Sequence, residues 1–498
     1  MTDRKPLGSR LLSLVTGLVA VAALVAAGVS WVALSRPFDP PQLSAVTVPA
    51  PPAPVLPRYP GAITVLTYHG VSDSDRAGST LTRRAFAEHL AALAAAGYRT
   101  VRLDEAREAL AGRPVGLPER PLLLTFDDGS LTTWTTVDPV LRAYGFTAVA
   151  FLTTGRVVRP GTPSTFLSTR QVRDMADSGR WEFGSHTDDL HSWVPVAGDM
   201  QPALTNRILV DGRPETLDQW RRRVGPDLDR SQEFLRRTLG HRSTAFAYPY
   251  GETGRISNDP EIVRELPVLL ERAGFALAFT GEDVPSGHVN AASPSSSRWL
   301  LPRIGVRGST SVAGLLGMVR RSIPVAPPRD LTTLSWTGES ASCVVDAGAR
   351  IRVTAVARAT AGCRLAEVNT SQWRDYIVSM SVTGLRPGTS AIVGVRDGAG
   401  AGHRGAVEVL LGRRRVVVRQ QIGDGPTTVL ATATVTARDP GQLTVQVRGD
   451  SITVRLAGAP ALTTTFDNRL HEGGVTFALT GVAEHAVTYG SPTLVPVT

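Results

Sequence analysis

The chain has 498 residues, 42% of them hydrophobic and 19% charged, which suits at least two packed domains and excludes a disordered or collagen-like chain. Its formal net charge of +9 is carried almost wholly by arginine, Lys5 being the one lysine. The arginines are scattered among acids and form no basic stripe, so no nucleic-acid partner is expected.

Arg4, Lys5 and Arg10 precede an uncharged, mostly apolar run over residues 11–34, about the ~20 residues a helix needs to cross a bilayer. Positive charge on its N-terminal flank predicts a cytoplasmic tail and transmembrane anchor over residues 1–36. The chain would then be single-pass in the plasma membrane, with all that follows extracytoplasmic. A cleaved signal peptide, giving a secreted protein, is the rival reading, but the run exceeds the ~7 to 15 apolar residues of a usual signal core. Residues 37–60 are proline-rich, and proline fixes φ and lacks an N–H, so an extended spacer is expected there.

From Gly61 short apolar segments alternate with amphipathic ones: AITVLTYH, FAEHLAALAAAG, PLLLTFDDG, DPVLRAYG, TAVAFLT, WEFGSHT, a helix from about Asp227 to Leu239, STAFAYPYG, a helix over residues 260–273, and FALAFTG. Strand-to-helix alternation with polar residues at the strand ends predicts an α/β unit, a parallel barrel or doubly wound sheet, over residues 61–323.

Three of those strand ends carry chemistry. PLLLT runs into Phe126, Asp127, Asp128 and Gly129, where one carboxylate can turn to a metal while its neighbour stays free as a base. Alone, the tetrapeptide reads equally as a turn or a helix cap. His186 and His191, five apart across the next such strand end, can converge with an aspartate on one ion and leave a coordination position for water. The third end, Tyr248-Pro249-Tyr250-Gly251, is a rigid turn that can present the Tyr250 N–H to an oxyanion.

The order FDDG, HTDDLH, YPYG, with VLTYHGVSD ahead of it, resembles the NodB-like polysaccharide deacetylase family over about residues 61–310. The five-residue histidine spacing resembles its poly-N-acetylglucosamine branch. The resemblance implies a distorted (β/α) barrel in which Asp128, His186 and His191 hold a divalent metal, Zn2+ with Co2+ or Ni2+ as alternatives, and Asp127 is the base. It also implies a hydrolase acting on an amide bond of a polysaccharide such as an exopolysaccharide or wall glycan, with polysaccharide synthase machinery as a partner.

Two positions depart from the family pattern. Ala247 stands where the third motif usually carries an arginine, leaving Arg303 or Arg242 to orient Asp127, with Arg303 preferred. The late Leu-x-His motif that supplies the general acid is missing, and His69, directly after the first strand and with Asp73 as its support, is the substitute. His69 also reads as a structural strand-end histidine, and His89 and His241 read as surface residues. O-deacetylation by the same residues, or a tethered glycan-binding protein with a decayed barrel, are the alternative functions. Retention of the three ligands and the base argues against decay.

After the prolines at 324–328 the pattern changes to short alternating strands such as ARIRVTAVA, DYIVSMSV, RRVVVRQQ and LTVQVRG, separated by Gly, Asp and Pro turns. An antiparallel β-sandwich, jelly-roll-like, is expected over residues 324–498. It loosely resembles concanavalin-type lectin folds, which implies sugar binding on aromatic platforms such as Trp336, Trp373, Tyr376 and Phe477. Aromatics in alternating strands are more often core. Cys343 and Cys363, an even, local pair, suggest a disulfide in an exported protein, with two buried thiols as the alternative.

Overall fold

The computed structural model describes residues 39–53, 56–74, 78, 80–196, 198–254, 256–281, 290–294, 296–339, 341–355, 360–366, 368–398, 405–423, 425–435, 441–480 and 485–497. The apolar run over 11–34 and the signal-peptide alternative lie outside these residues. Among the described residues no helix is long and apolar enough to cross a membrane.

Seven strands form the frame of the N-terminal unit: β1 (Thr64–Tyr68), β2 (Pro121–Phe126), β3 (Ala148–Leu152), β4 (Trp181–Ser185), β5 (Ala245–Ala247), β6 (Leu277–Phe279) and β7 (Ile304–Gly305). Their order is β6-β5-β4-β3-β2-β1-β7 with every neighbouring pair parallel, and Arg99–Thr100 adds a short rung against β2. Near-continuous burial along these strands is what a parallel sheet covered on both faces requires. Leu301 bridges Phe279 in parallel while Ile304 pairs with Leu66, so residues 301–305 close the sheet into a distorted (β/α) barrel.

Seven helices accompany the strands: α1 (Arg83–Ala95), α2 (Leu103–Leu110), α3 (Asp138–Tyr144), α4 (Thr169–Asp177), α5 (Leu217–Leu239), α6 (Glu261–Arg272) and α7 (Val312–Ser322). The fifth starts well before Asp227, because Thr216 and Gln219 form a reciprocal cap at its N-terminus and Pro226 is tolerated inside it. His89 on α1 is buried, not at the surface. Its Nε2 lies 3.0 Å from the Thr310 carbonyl and its Nδ1 3.5 Å from the Tyr68 hydroxyl. Between β4 and α5 lie two hairpins, Trp193–Val196 with Asp199–Pro202 and Leu209–Val210 with Arg213–Pro214.

The proline-rich stretch is extended but is not a free spacer. Asp39 pairs with Arg170, Gln42 donates to Asp138 and to the Trp134 carbonyl, and the Leu43 N–H donates to Thr135. Farther on, the Val48 N–H donates to the Tyr144 hydroxyl and Arg120 donates to the Leu56 and Pro57 carbonyls. Val46, Val48 and Leu56 pack against the barrel's apolar core. Proline keeps this strap from forming a ladder of its own, yet leaves its carbonyls free to accept from arginines.

Two seven-stranded antiparallel sheets make the C-terminal unit. One runs Trp336–Glu339, Thr360–Leu365, Gly474–Thr480, Ser390–Asp397, Gly405–Leu411, Arg415–Ile422, Thr428–Thr434. The other runs Ala341–Asp346, Arg350–Ala355, Ala486–Pro496, Tyr376–Thr383, Gly441–Arg448, Ser451–Leu456, Ala459–Thr465. Alternate residues face a shared core, as a sandwich demands. Trp373, Tyr376 and Phe477 are fully buried in that core, and Trp336 packs against it, so these four are not exposed sugar platforms. Cys343 and Cys363 form a disulfide that joins the two sheets.

Candidate active site and metal centre

The three motif-bearing strand ends meet at the C-terminal mouth of the barrel. At each, one residue without a glycine's freedom holds a left-handed backbone: Asp128 (φ 72°), Thr187 (φ 73°) and Tyr250 (φ 59°). Such conformations cost of order 1–3 kcal/mol each and persist where the surroundings impose them. Gly129, itself at φ 78°, packs so closely that a Cβ there would stand 3.1 Å from the Leu152 side chain. That tight turn sends the two adjacent carboxylates in different directions.

Asp127 points inward and is nearly sealed from solvent. Arg303, buried to 1% exposure, donates to both its oxygens, Nη1 to Oδ1 at 2.7 Å and Nη2 to Oδ2 at 2.8 Å, and is fixed by the Thr280 carbonyl at 2.7 Å. Burial alone would raise this carboxyl's pKa. The Arg303 guanidinium, helped by His186 and His69, reverses that and holds it well below the usual carboxylate range. Arg242 is exposed, so it is Arg303 that meets Asp127. It reaches Asp127 because the closing segment 301–305 runs beside β1.

Asp128 turns the other way, towards His186 and His191. Its Oδ1 lies 3.2 Å from His191 Nε2 and 3.9 Å from His186 Nε2, and Asp127 Oδ2 is 4.0 Å from His186 Nε2. One ligand atom from each of Asp128, His186 and His191 lies within 4.8 Å of the others. Two observations fit this trio to a divalent cation. Asp128 Oδ1 is buried with no hydrogen-bond partner among the described residues, a costly state for a carboxylate oxygen unless a cation meets it. His186 Nδ1 is 2.8 Å from the Ala247 carbonyl, so it carries the hydrogen and donates, leaving the Nε2 lone pair facing the trio. Burial, reinforced by His186, drops the His191 pKa to about 4, so the His191 imidazole is neutral and able to ligate near neutral pH.

Several residues that sequence reasoning missed shape this centre. Asp227 on α5 takes the N–H groups of Asp188 and Asp189 on its two carboxylate oxygens, each at 2.9 Å, and so clamps the loop between the two histidines. Thr154 and Arg230 hold the Asp188 carboxylate at 2.7 and 2.8 Å, and Arg156 donates to the His191 carbonyl at 2.9 Å. One signal was present: Asp227 lies on the buried stripe of α5 with Trp220, Val224, Leu228 and Leu235, where an unpaired acid would be costly.

Tyr250 sits at the rim, its ring centroid 4.5 Å from that of His191 and 5.0 Å from that of Trp193, which is 44% exposed. The pair forms an aromatic wall beside the trio. His69 is exposed at the end of β1, close enough to Asp127 to stabilise its charge. Asp73 does not support it: the Asp73 carboxylate is engaged by the backbone and side chain of Arg83. His241 is exposed, as expected.

Residues 115–266 match the polysaccharide deacetylase family. A poly-beta-1,6-N-acetyl-D-glucosamine N-deacetylase of Escherichia coli K12 is 29% identical over 265 residues, covering 50% of this chain and 37% of that protein. One of the same name from Staphylococcus aureus MSSA476 is 26% identical over 188 residues, covering 38% of this chain and 54% of its own length. The chain thus spans only part of the length of the curated relatives it matches. IcaB from Ammonifex degensii has 30% identity, covering 52% of this chain and 97% of that structure, with a TM-score of 0.41. The family match over residues 115–266, together with the barrel and its ordered motifs, shows that this part of the chain is a polysaccharide deacetylase domain of the NodB-like kind.

Proposed function

We propose that this protein hydrolyses N-acetyl groups from an extracytoplasmic polymer of N-acetylglucosamine, of the poly-β-1,6-linked class named for its relatives, in a metal-dependent reaction. The observation that carries the reading is the buried Arg303–Asp127 pair set beside the Asp128, His186, His191 trio. Asp128, His186 and His191 would hold a divalent ion, Zn2+ in the first instance, which would supply Lewis-acid activation of water and of the acetamide carbonyl.

The chain's own groups account for the rest. Asp127, kept ionised and oriented by Arg303, accepts the proton of the attacking water. The Tyr250 N–H, presented by its left-handed turn, donates to the oxygen that gains charge as the carbonyl carbon becomes tetrahedral. His69, at the open side of the mouth, delivers a proton to the departing amine, so that water and amide become acetate and a free amino sugar. The Trp193–Tyr250 wall offers the sugar ring an apolar face.

In this reading residues 11–34 anchor the protein in the membrane with its folded parts outside. The test is acetate release from β-1,6-linked N-acetylglucosamine oligomers. It should be abolished by a chelator, restored by Zn2+, and cut by about a hundredfold or more in Asp127→Asn. Release that ignores the chelator and the substitution would refute the proposal.

A further inference from the structure

We infer that the catalytic mouth faces the membrane surface, so that the enzyme acts on polymer at the bilayer and not on polymer arriving from the bulk. This inference rests on the anchoring of residues 11–34 proposed above.

The strap has a direction. Its first described residue, Asp39, is 3.4 Å from Arg170 and 3.4 Å from Gln171, both in the first turn of α4. That turn is capped by Ser168, and the preceding Leu167 N–H donates to the carbonyl of Gly129, the turn that splits Asp127 from Asp128. Residue 39 therefore sits at the mouth end of the barrel wall. Gln42 and Leu43 then contact Trp134, Thr135 and Asp138, Val48 reaches Tyr144 at the far end of α3, and Leu56 and Pro57 meet Arg120 just before β2 begins. The strap descends from mouth to floor and enters β1 from below.

Asp39 lies five Cα steps beyond the end of the apolar run at 34, with four residues between them. At no more than ~3.6 Å each, those steps span at most about 18 Å, so the mouth is kept within that reach of the bilayer. The floor lies a full barrel depth farther along the chain. The β-sandwich attaches at the floor: Asn369 donates to the carbonyls of Arg321 and Ser322 at the C-terminal end of α7, and Trp373 donates to Val325.

Both native cysteines are disulfide-bonded, so one introduced thiol labels the protein uniquely. Full-length protein in lipid vesicles would be labelled with a donor fluorophore at Thr162→Cys, an exposed position of the mouth loop, or at Gly116→Cys, an exposed position of the floor loop with open space around it. Energy transfer to a headgroup acceptor should be several-fold greater from the mouth than from the floor. The difference should collapse when Asp39→Ala, Gln42→Ala, Val46→Asp and Val48→Asp together release the mouth half of the strap. Equal or reversed transfer, or a difference that survives release of the strap, overturns the orientation. Full-length protein that fails to stay with the vesicles overturns it as well. Acetate release by the same samples reports separately on the hydrolytic reading.

Discussion

Asp227 touches none of the three proposed metal ligands, yet it holds the loop on which both histidines stand. Its two oxygens hold consecutive backbone N–H groups in the loop between His186 and His191, and Arg230 alone on α5 cannot substitute, because a guanidinium cannot accept a hydrogen bond. Burial raises the Asp227 pKa, and the two N–H donors and Arg230 oppose that rise, so the clamp is a carboxylate stabilised by what it clamps. Removing it leaves two part-buried donors unmatched and frees the loop. Asp227→Ala is therefore expected to weaken Zn2+ binding by about 10- to 100-fold, the usual cost of losing a group that orients a ligand. Competition against a fluorescent chelator measures this directly, and unchanged affinity would show that the histidines hold their places unaided. Arg303 acts on the neighbouring carboxylate in the same indirect way, through two hydrogen bonds and its charge.

At the scale of elements, the strand ends were legible because each motif is contiguous: FDDG, HTDDLH and YPYG each place their functional atoms within a few residues of one apolar strand. Arg303 was accessible through a chemical requirement, since a buried base needs a cation and the usual position holds Ala247. What remained hidden depends on packing between distant segments. The strap's carbonyl contacts with Arg120 and the Asp227 clamp leave no local pattern, and His89 looked like a surface residue because its partner Thr310 lies 221 residues away.

That buried histidine makes stability depend on pH. Burial lowers its folded pKa below 6.5, with the Thr310 carbonyl and Glu88 opposing only in part. The unfolded chain therefore takes up a proton that the folded one refuses. Stability from this group is complete above about pH 6.5 and is lost as pH falls towards the folded value. His89→Gln, which keeps a donor for Thr310 and cannot titrate, should show a smaller fall in Tm between pH 7 and pH 5 than the unaltered protein. An identical fall in both would place the pH sensitivity elsewhere.

At the scale of the whole molecule, the barrel and the sandwich draw on different sources of stability. Two core clusters of the barrel fill the two sides of its parallel sheet, and the strap adds Leu56, Val46 and Val48 to one of them. The sandwich depends on one continuous core between two sheets, and Cys343–Cys363 ties those sheets across it at one end, closing a 20-residue separation. Such a loop restricts the unfolded chain by about 3 kcal/mol on chain-entropy grounds. For a domain of this size that corresponds to a Tm lowered by about 6 to 12 °C on reduction. Because the bond lies wholly within the sandwich, the loss should appear in the sandwich's transition and leave the proposed acetate release unchanged. Scanning calorimetry with and without reductant, alongside Cys343→Ala/Cys363→Ala, separates the two cases. A shift of both transitions together would mean that the floor contacts through Asn369 and Trp373 couple the units into one cooperative block.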